Sequence, residues 1–192
     1  MSQHLEIEFK NLLTKQEYNH LIEFFKVDKI NIKKQINHYF DTASFLLKDA
    51  QSALRIRERG DWYEMTLKQP APIGLLETNQ ILQKQEAAKL LDHHIFPDGP
   101  IKDKLLSIKV PVELLQYFGS LTTNRIEFAY KDGLLVLDHS YYLNAEDFEI
   151  EYEVTNPDIG EMVFNELLHT MKIPRRKTEN KVQRFYNQKY QS

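Results

Sequence analysis

Charged residues in this chain alternate with apolar ones at a period of two, and the sign of the charge is segregated by segment. Glu6, Glu8 and Lys10 do so in EIEFK, Arg55, Arg57 and Arg59 in LRIRERG, and Glu149, Glu151 and Glu153 in EIEYEV. Side chains of a β-strand point alternately to its two faces, so each set is displayed on one face. Carboxylates at i and i+2 stand roughly 7 Å apart and repel unless a cation lies between them. Any fold for this chain has to cover several apolar strand faces and also find partners for rows of like charge.

Strand-like segments of this kind recur from end to end: HLEIEFKNL, INHYFDT, SALRIRERG, WYEMTLKQ, NRIEFAYKD, GLLVLDHSYYL and DFEIEYEVT. Gly60-Asp61 and Lys131-Asp132-Gly133 are hairpin signals, which implies antiparallel pairing. Helical patterns are interspersed. Thr14 and Glu17 form a capping box ahead of Leu21, Ile22 and Phe25, and apolar residues recur at helical spacing over 81–91 and 157–171. The class is therefore α+β. The stretch 92–111, with Pro97, Gly99, Pro100 and Pro111, connects two halves. Neither half has enough strands to close a core of its own, so the stretch is read as an internal crossover within a single domain spanning 1–192.

Composition narrows the function. With 192 residues, 42% apolar and 28% charged, the chain is that of a globular protein with a sizeable core. Its net charge of -3 provides no general affinity for nucleic acid or an anionic membrane. The absence of cysteine excludes disulfides, thiolate metal sites and a cysteine nucleophile. The first ten residues have no apolar signal region, and no stretch approaches the roughly 20 apolar residues of a membrane span. The expectation is a cytoplasmic protein with no nucleic-acid or membrane partner. His93-His94 and the scattered His4, His20, His38, His139 and His169 have no metal-ligand spacing, and Ser140 beside His139 points to the opposite strand face. Trp62, Tyr39 and Tyr63 are either core residues or the lining of a site mouth.

The charged rows carry the functional argument. Trp62, Glu64, Thr66 and Lys68 share a face, so Lys68 can join the arginine row, while Arg125, Glu127 and Asp138 lie on two later strands. An ordinary exposed sheet mixes signs so that cross-strand neighbours attract. A closed or nearly closed antiparallel barrel with a charged interior fits the segregated pattern, and surface ion pairs on a twisted open sheet are the alternative. A charged interior rich in arginine calls for an anion. The guanidinium fork matches phosphate oxygens, and a carboxylate cluster binding Mg²⁺ or Mn²⁺ supplies the cation that phosphoryl transfer needs.

These residues resemble the CYTH family, the triphosphate tunnel metalloenzymes that include class IV adenylyl cyclase and thiamine triphosphatase. The resemblance rests on Glu6, Glu8 and Lys10 on the first strand, IRER with Arg55 and Arg57, TLK with Lys68, Arg125 beginning a strand, LD with Asp138, and EIEYE with Glu149, Glu151 and Glu153. It covers nearly the whole chain, and the chain is most similar to short bacterial stand-alone members.

The resemblance implies a closed eight-stranded antiparallel β-barrel, the triphosphate tunnel, with helices packed outside. It implies phosphate contacts from Lys10, Arg55, Arg57, Lys68 and Arg125. From the segment PRRKTENKVQRF it implies a further cation, for which Lys181 is preferred to Lys177, with Arg184 nearby. It implies metal ligands Glu6, Glu8 and Glu151, paired with either Glu149 or Glu153, and Asp138 as a further ligand or an orienter of water. Glu6, Glu8, Lys10 and Asp138 are the catalytic candidates. Glu77 lies near a position where relatives carry an acidic pair, but Thr78-Asn79 follows it, so it is left out of the site.

The implied activity is metal-dependent hydrolysis of the terminal phosphoryl group of inorganic triphosphate, or of a thiamine or nucleoside triphosphate, by a monomer or homodimer using Mg²⁺ or Mn²⁺. An adenylyl cyclase and a non-catalytic triphosphate or polyphosphate sensor are the alternatives.

Overall fold

The computed structural model describes residues 2–190. In chain order the elements are β1 (Ser2–Leu13), α1 (Lys15–Phe24), β2 (Lys33–Thr42), α2 (Leu46–Asp49), β3 (Ala53–Arg59), β4 (Trp62–Pro70), β5 (Leu75–Leu82), α3 (Lys84–His93), α4 (Pro100–Ser107), β6 (Leu115–Tyr130), β7 (Gly133–Tyr142), β8 (Ala145–Val154), α5 (Pro157–Thr170) and α6 (Lys181–Tyr190). The strands form one closed antiparallel barrel in the order β1-β5-β4-β3-β2-β6-β7-β8, the architecture expected from the alternating charges. Both hairpin signals hold. Arg59 pairs with Trp62 across a turn in which Gly60 adopts a φ of +61°, and Tyr130 pairs with Gly133.

The chain divides into two compact units. One comprises Gln35–Leu121 with the leading residues through Leu5, and the other comprises Glu6–Lys34 with the residues from Thr122 onward. Each unit has an apolar cluster of its own. Helices provide the second layer of each cluster.

In the first unit, Leu54, Ile56, Met65 and Leu67 alternate with the charged residues of β3 and β4. They pack with Leu47 of α2, Ala87 and Leu90 of α3, and Ile101 and Leu105 of α4. Two further expectations change here. Ile81 and Leu82 end strand β5, where Leu82 pairs with Tyr63, so α3 begins only at Lys84, with the Gln83 amide donating to Glu86. The stretch 92–111 holds α4, because Pro100 stands at its start, where a proline costs no hydrogen bond.

In the second unit, Leu135, Leu137, Phe148, Ile150 and Tyr152 pack on Tyr18 and Leu21 of α1 and on Phe164, Leu167 and Leu168 of α5. Thr14 and Glu17 make the expected capping box at the start of α1. Gly160 lets α5 lie close to the sheet, since a Cβ there would stand 2.6 Å from Val154. Among the described residues, no helix is long and apolar enough to cross a membrane.

Candidate functional site

Covering the apolar face fixes what the opposite face displays. In the second unit the register sets Lys10 against Glu151, Glu8 against Glu153, Asp138 against Glu149, and Arg125 against Asp138. Opposed residues in an antiparallel pair share a face, so these charges from β1, β6, β7 and β8 converge.

They sort into two groups. Toward one end of β8, Asp138 and Glu149 are fully buried and Glu151 nearly so. Arg125 donates to both oxygens of Asp138 at 2.8 and 2.6 Å and to Glu151 at 2.7 Å. Lys181, the first residue of α6, reaches Asp138 at 2.9 Å, Glu149 at 2.6 Å and Glu151. Arg184, one turn later, bonds Glu149 at 2.8 Å and Asp147 at 2.9 Å. Burial works against the charge on Lys181 and Arg125, but the surrounding carboxylates outweigh it and raise both far above their ordinary values. The same cations hold Asp138 and Glu151 below the usual carboxylate range despite burial.

Toward the other end, Glu6, Glu8 and Glu153 each bring a carboxylate oxygen to within 4.8 Å of the others. Glu8 is paired with Lys10. Burial, with Glu151, Glu6 and Glu8 as like-charged neighbours, pushes the Glu153 carboxyl up to about 7, even though Arg125 lies 4.0 Å away. Three oxygen donors that repel one another suit a hard divalent cation, so the residues present fit Mg²⁺ or Mn²⁺.

The first unit displays a different face. Arg55 is opposite Tyr39 and Thr66, Arg57 opposite Asn37 and Glu64, Arg59 opposite Trp62, and Lys68 opposite Glu77. Arg57 donates to the Asn37 carboxamide at 3.3 Å and Arg59 to that of Gln35 at 3.1 Å. Glu77, nearly buried, takes Lys68 on one oxygen and His4 on the other at 3.2 Å, with Arg55 at 4.0 Å. Burial opposes its ionisation, but Lys68 and Arg55 outweigh that and draw its pKa down to about 2.

Within the second unit the structure thus brings together Glu6, Glu8, Lys10, Arg125, Asp138, Glu149, Glu151, Glu153, Lys181 and Arg184. Within the first it brings together Arg55 and Lys68, with Arg57 next in the row. Sequence reasoning passed over Glu77, Asp147, Asn37 and Gln35. The signals were present: Gln35 and Asn37 continue the alternation of β2, and Glu77 lies on the same strand face as Asn79.

Comparison with known proteins sets this geometry in context. Residues 4–186 match the CYTH domain model. A Bacillus subtilis (strain 168) protein named "Putative triphosphatase YjbK" is 48% identical over all 192 residues, covering 100% of each chain. A Bacillus halodurans crystal structure described as a "putative adenylate cyclase" is 46% identical, with a TM-score of 0.94 over 97% of this chain and 100% of that one. A Hippeastrum protein described as having dominant triphosphatase activity shares the fold, at 22% identity and a TM-score of 0.82 over 96% of each chain. With nearly all of its length fitting the family model and a full-length relative at 48% identity, the chain belongs to the CYTH domain family.

Proposed function

We propose that the chain is a metal-dependent triphosphatase that hydrolyses the terminal phosphoryl group of inorganic triphosphate or of an organic triphosphate such as thiamine or nucleoside triphosphate. One observation carries the reading. On a single strand face of the second unit, a carboxylate trio able to hold a divalent cation lies beside the cations Lys10 and Arg125. The triphosphatase name of the 48% identical relative supports it.

Phosphoryl transfer needs little covalent chemistry from a protein: water adds to the terminal phosphorus, the bridging P–O bond breaks, and orthophosphate leaves. What this chain supplies is charge placed in advance. Lys10 and Arg125 in one unit, and Arg55, Arg57 and Lys68 in the other, are the proposed phosphate contacts. A divalent ion held by Glu6, Glu8 and Glu153 would add neutralisation of phosphate oxygens. Removing one contact of this kind typically costs about 100-fold to 1000-fold in rate.

The adenylate cyclase name of the 46% identical structure favours a second reading, in which the 3′-hydroxyl of ATP attacks its own α-phosphate. A panel of inorganic triphosphate, ATP and thiamine triphosphate, assayed with Mg²⁺, Mn²⁺ and Co²⁺, tests both. Orthophosphate release lost in Glu6→Ala, Glu8→Ala and Arg57→Ala is the expected result. Full activity in all three variants would sink the triphosphatase assignment. Cyclic AMP with pyrophosphate would assign the cyclase instead, and tight binding without turnover would assign a sensor.

A further inference from the structure

We infer that Tyr141 is a site of covalent acylation, its phenol made nucleophilic by a relay of Glu146 and His139. These residues lie in the second unit, on the strand face opposite to the charged one, and the triphosphatase reading uses none of them.

The alternation that places Asp138 and Ser140 on one face of β7 places His139 and Tyr141 on the other, and the register sets Tyr141 opposite Glu146 and His139 opposite Phe148. A Glu146 carboxylate oxygen lies 2.8 Å from His139 Nε2, and the Tyr141 hydroxyl lies 2.8 Å from His139 Nδ1. Valence gives this chain a direction. A carboxylate only accepts, so Nε2 carries the hydrogen, and in the neutral ring Nδ1 is left with a lone pair. The phenol therefore donates to a base that a third group orients, which is the arrangement that activates a hydroxyl nucleophile.

Packing holds the base in place and leaves the nucleophile open. The imidazole stacks on Phe148 with ring centroids 4.1 Å apart, and its side chain is only 17% exposed, whereas Tyr141 is 40% exposed. With an activated acyl donor, the Tyr141 oxygen adds to the carbonyl carbon and its hydrogen passes to His139 Nδ1. The C–O bond of an aryl ester forms as the bond to the leaving group breaks. The leaving group departs with its electron pair and takes the proton from His139, whose imidazolium Glu146 stabilises in between.

The first unit contains the same three residue types without the relay. Tyr117 is 41% exposed and its ring stands 6.1 Å from that of His38, whose Nε2 faces Glu58 at 3.0 Å. His38 Nδ1, however, makes no hydrogen bond among the described residues. Equal exposure with and without the phenol–imidazole bond makes Tyr117 the reference for Tyr141.

Treatment of the full chain with N-acetylimidazole at neutral pH, with each tyrosine ester followed by peptide mass spectrometry and confirmed by its removal with hydroxylamine, tests the inference. Tyr141 is expected to be acetylated about 10-fold or more faster than Tyr117. His139→Gln can still hydrogen-bond but is not a base, and is expected to bring Tyr141 to within about threefold of Tyr117. Glu146→Gln, which keeps an acceptor and loses the charge, is expected to slow Tyr141 by about threefold to 10-fold. Equal rates at Tyr141 and Tyr117 in the wild type would overturn the inference. So would an advantage of Tyr141 that persists in His139→Gln folded by circular dichroism. If that variant does not fold, Glu146→Gln decides, and an undiminished advantage there overturns the inference.

Discussion

The two units solve the same problem, a row of buried or half-buried cations on a sheet face, with different partners. In the second unit, Arg125, Lys181 and Arg184 rest on carboxylates, two or more apiece. In the first, Arg57 and Arg59 donate to the neutral carboxamides of Asn37 and Gln35, and Glu77 is the carboxylate that holds Lys68 and Arg55. A carboxylate partner fixes a cation and cancels its charge, whereas a carboxamide contributes a neutral hydrogen bond. Buried carboxylates therefore dominate the contacts of the second unit's cations, and carboxamides join a carboxylate in those of the first.

The largest test of that contrast is Arg125→Met. Asp138 and Glu151 would each lose a cation while buried, and breaking a buried pair in this way costs about 3–5 kcal/mol. Urea unfolding should show a loss of that size in the unfolding free energy. A shift below about 1 kcal/mol would mean that Lys181 alone satisfies both carboxylates.

Next is Glu77, the exception within the first unit. Its pKa is depressed from 4.5 to about 2, so its ionisation stabilises the fold above the ordinary carboxylate value. That stabilisation is lost as pH falls from about 4.5 to about 2, and amounts to about 3 kcal/mol when complete. Glu77→Gln should lower stability at pH 7 by that order and flatten the acid limb. If both proteins lose stability equally between pH 4.5 and 2, Glu77 is not the group responsible.

Arg57→Met sharpens the contrast from the other side. The bond it loses to the neutral Asn37 carboxamide is worth about 1 kcal/mol of stability. Triphosphate hydrolysis should nevertheless fall about 100-fold to 1000-fold. A variant that unfolds as readily as Arg125→Met would erase the distinction between the two faces.

How far the sequence reveals this arrangement depends on the range of the interaction. Alternation is local, so EIEFK, LRIRERG and EIEYE announce strands and their charged faces directly, and Thr14 with Glu17 announces a helix start. Pairing across the sheet is not local. Glu149, Glu151 and Glu153 are equivalent by alternation, and only the arrival of α6 from about thirty residues downstream makes the first two partners of Lys181. Glu77, which its neighbours Thr78 and Asn79 argue out of the site, is misjudged for the same reason. Its importance comes from standing opposite Lys68, a register that no motif within LLETNQ encodes. Pro100 misled differently, since a proline that opens a helix and one that breaks a helix look alike without the cap geometry.

The smallest effect compares how the two units start the helices that cover them. Glu17 reaches back to the Thr14 amide at 2.7 Å, and Glu86 reaches back to the Gln83 amide at 2.8 Å, so each holds one orphan donor at a helix N-terminus. Glu17 has a second role: Arg176 grips both its oxygens at 2.8 and 2.9 Å, which ties α1 to the segment leading into α6. Glu86→Ala should therefore cost about 0.5 kcal/mol, as a lost cap contact. Glu17→Ala should cost about 1–2 kcal/mol, because a half-exposed bidentate ion pair is lost with it. Thermal unfolding of the two variants side by side measures the difference. Equal costs would show that the Arg176 side chain adds nothing to α1, and that the Asn11 carboxamide, donating to the Pro174 carbonyl and accepting from the Arg176 amide, secures the segment ahead of α6 without it.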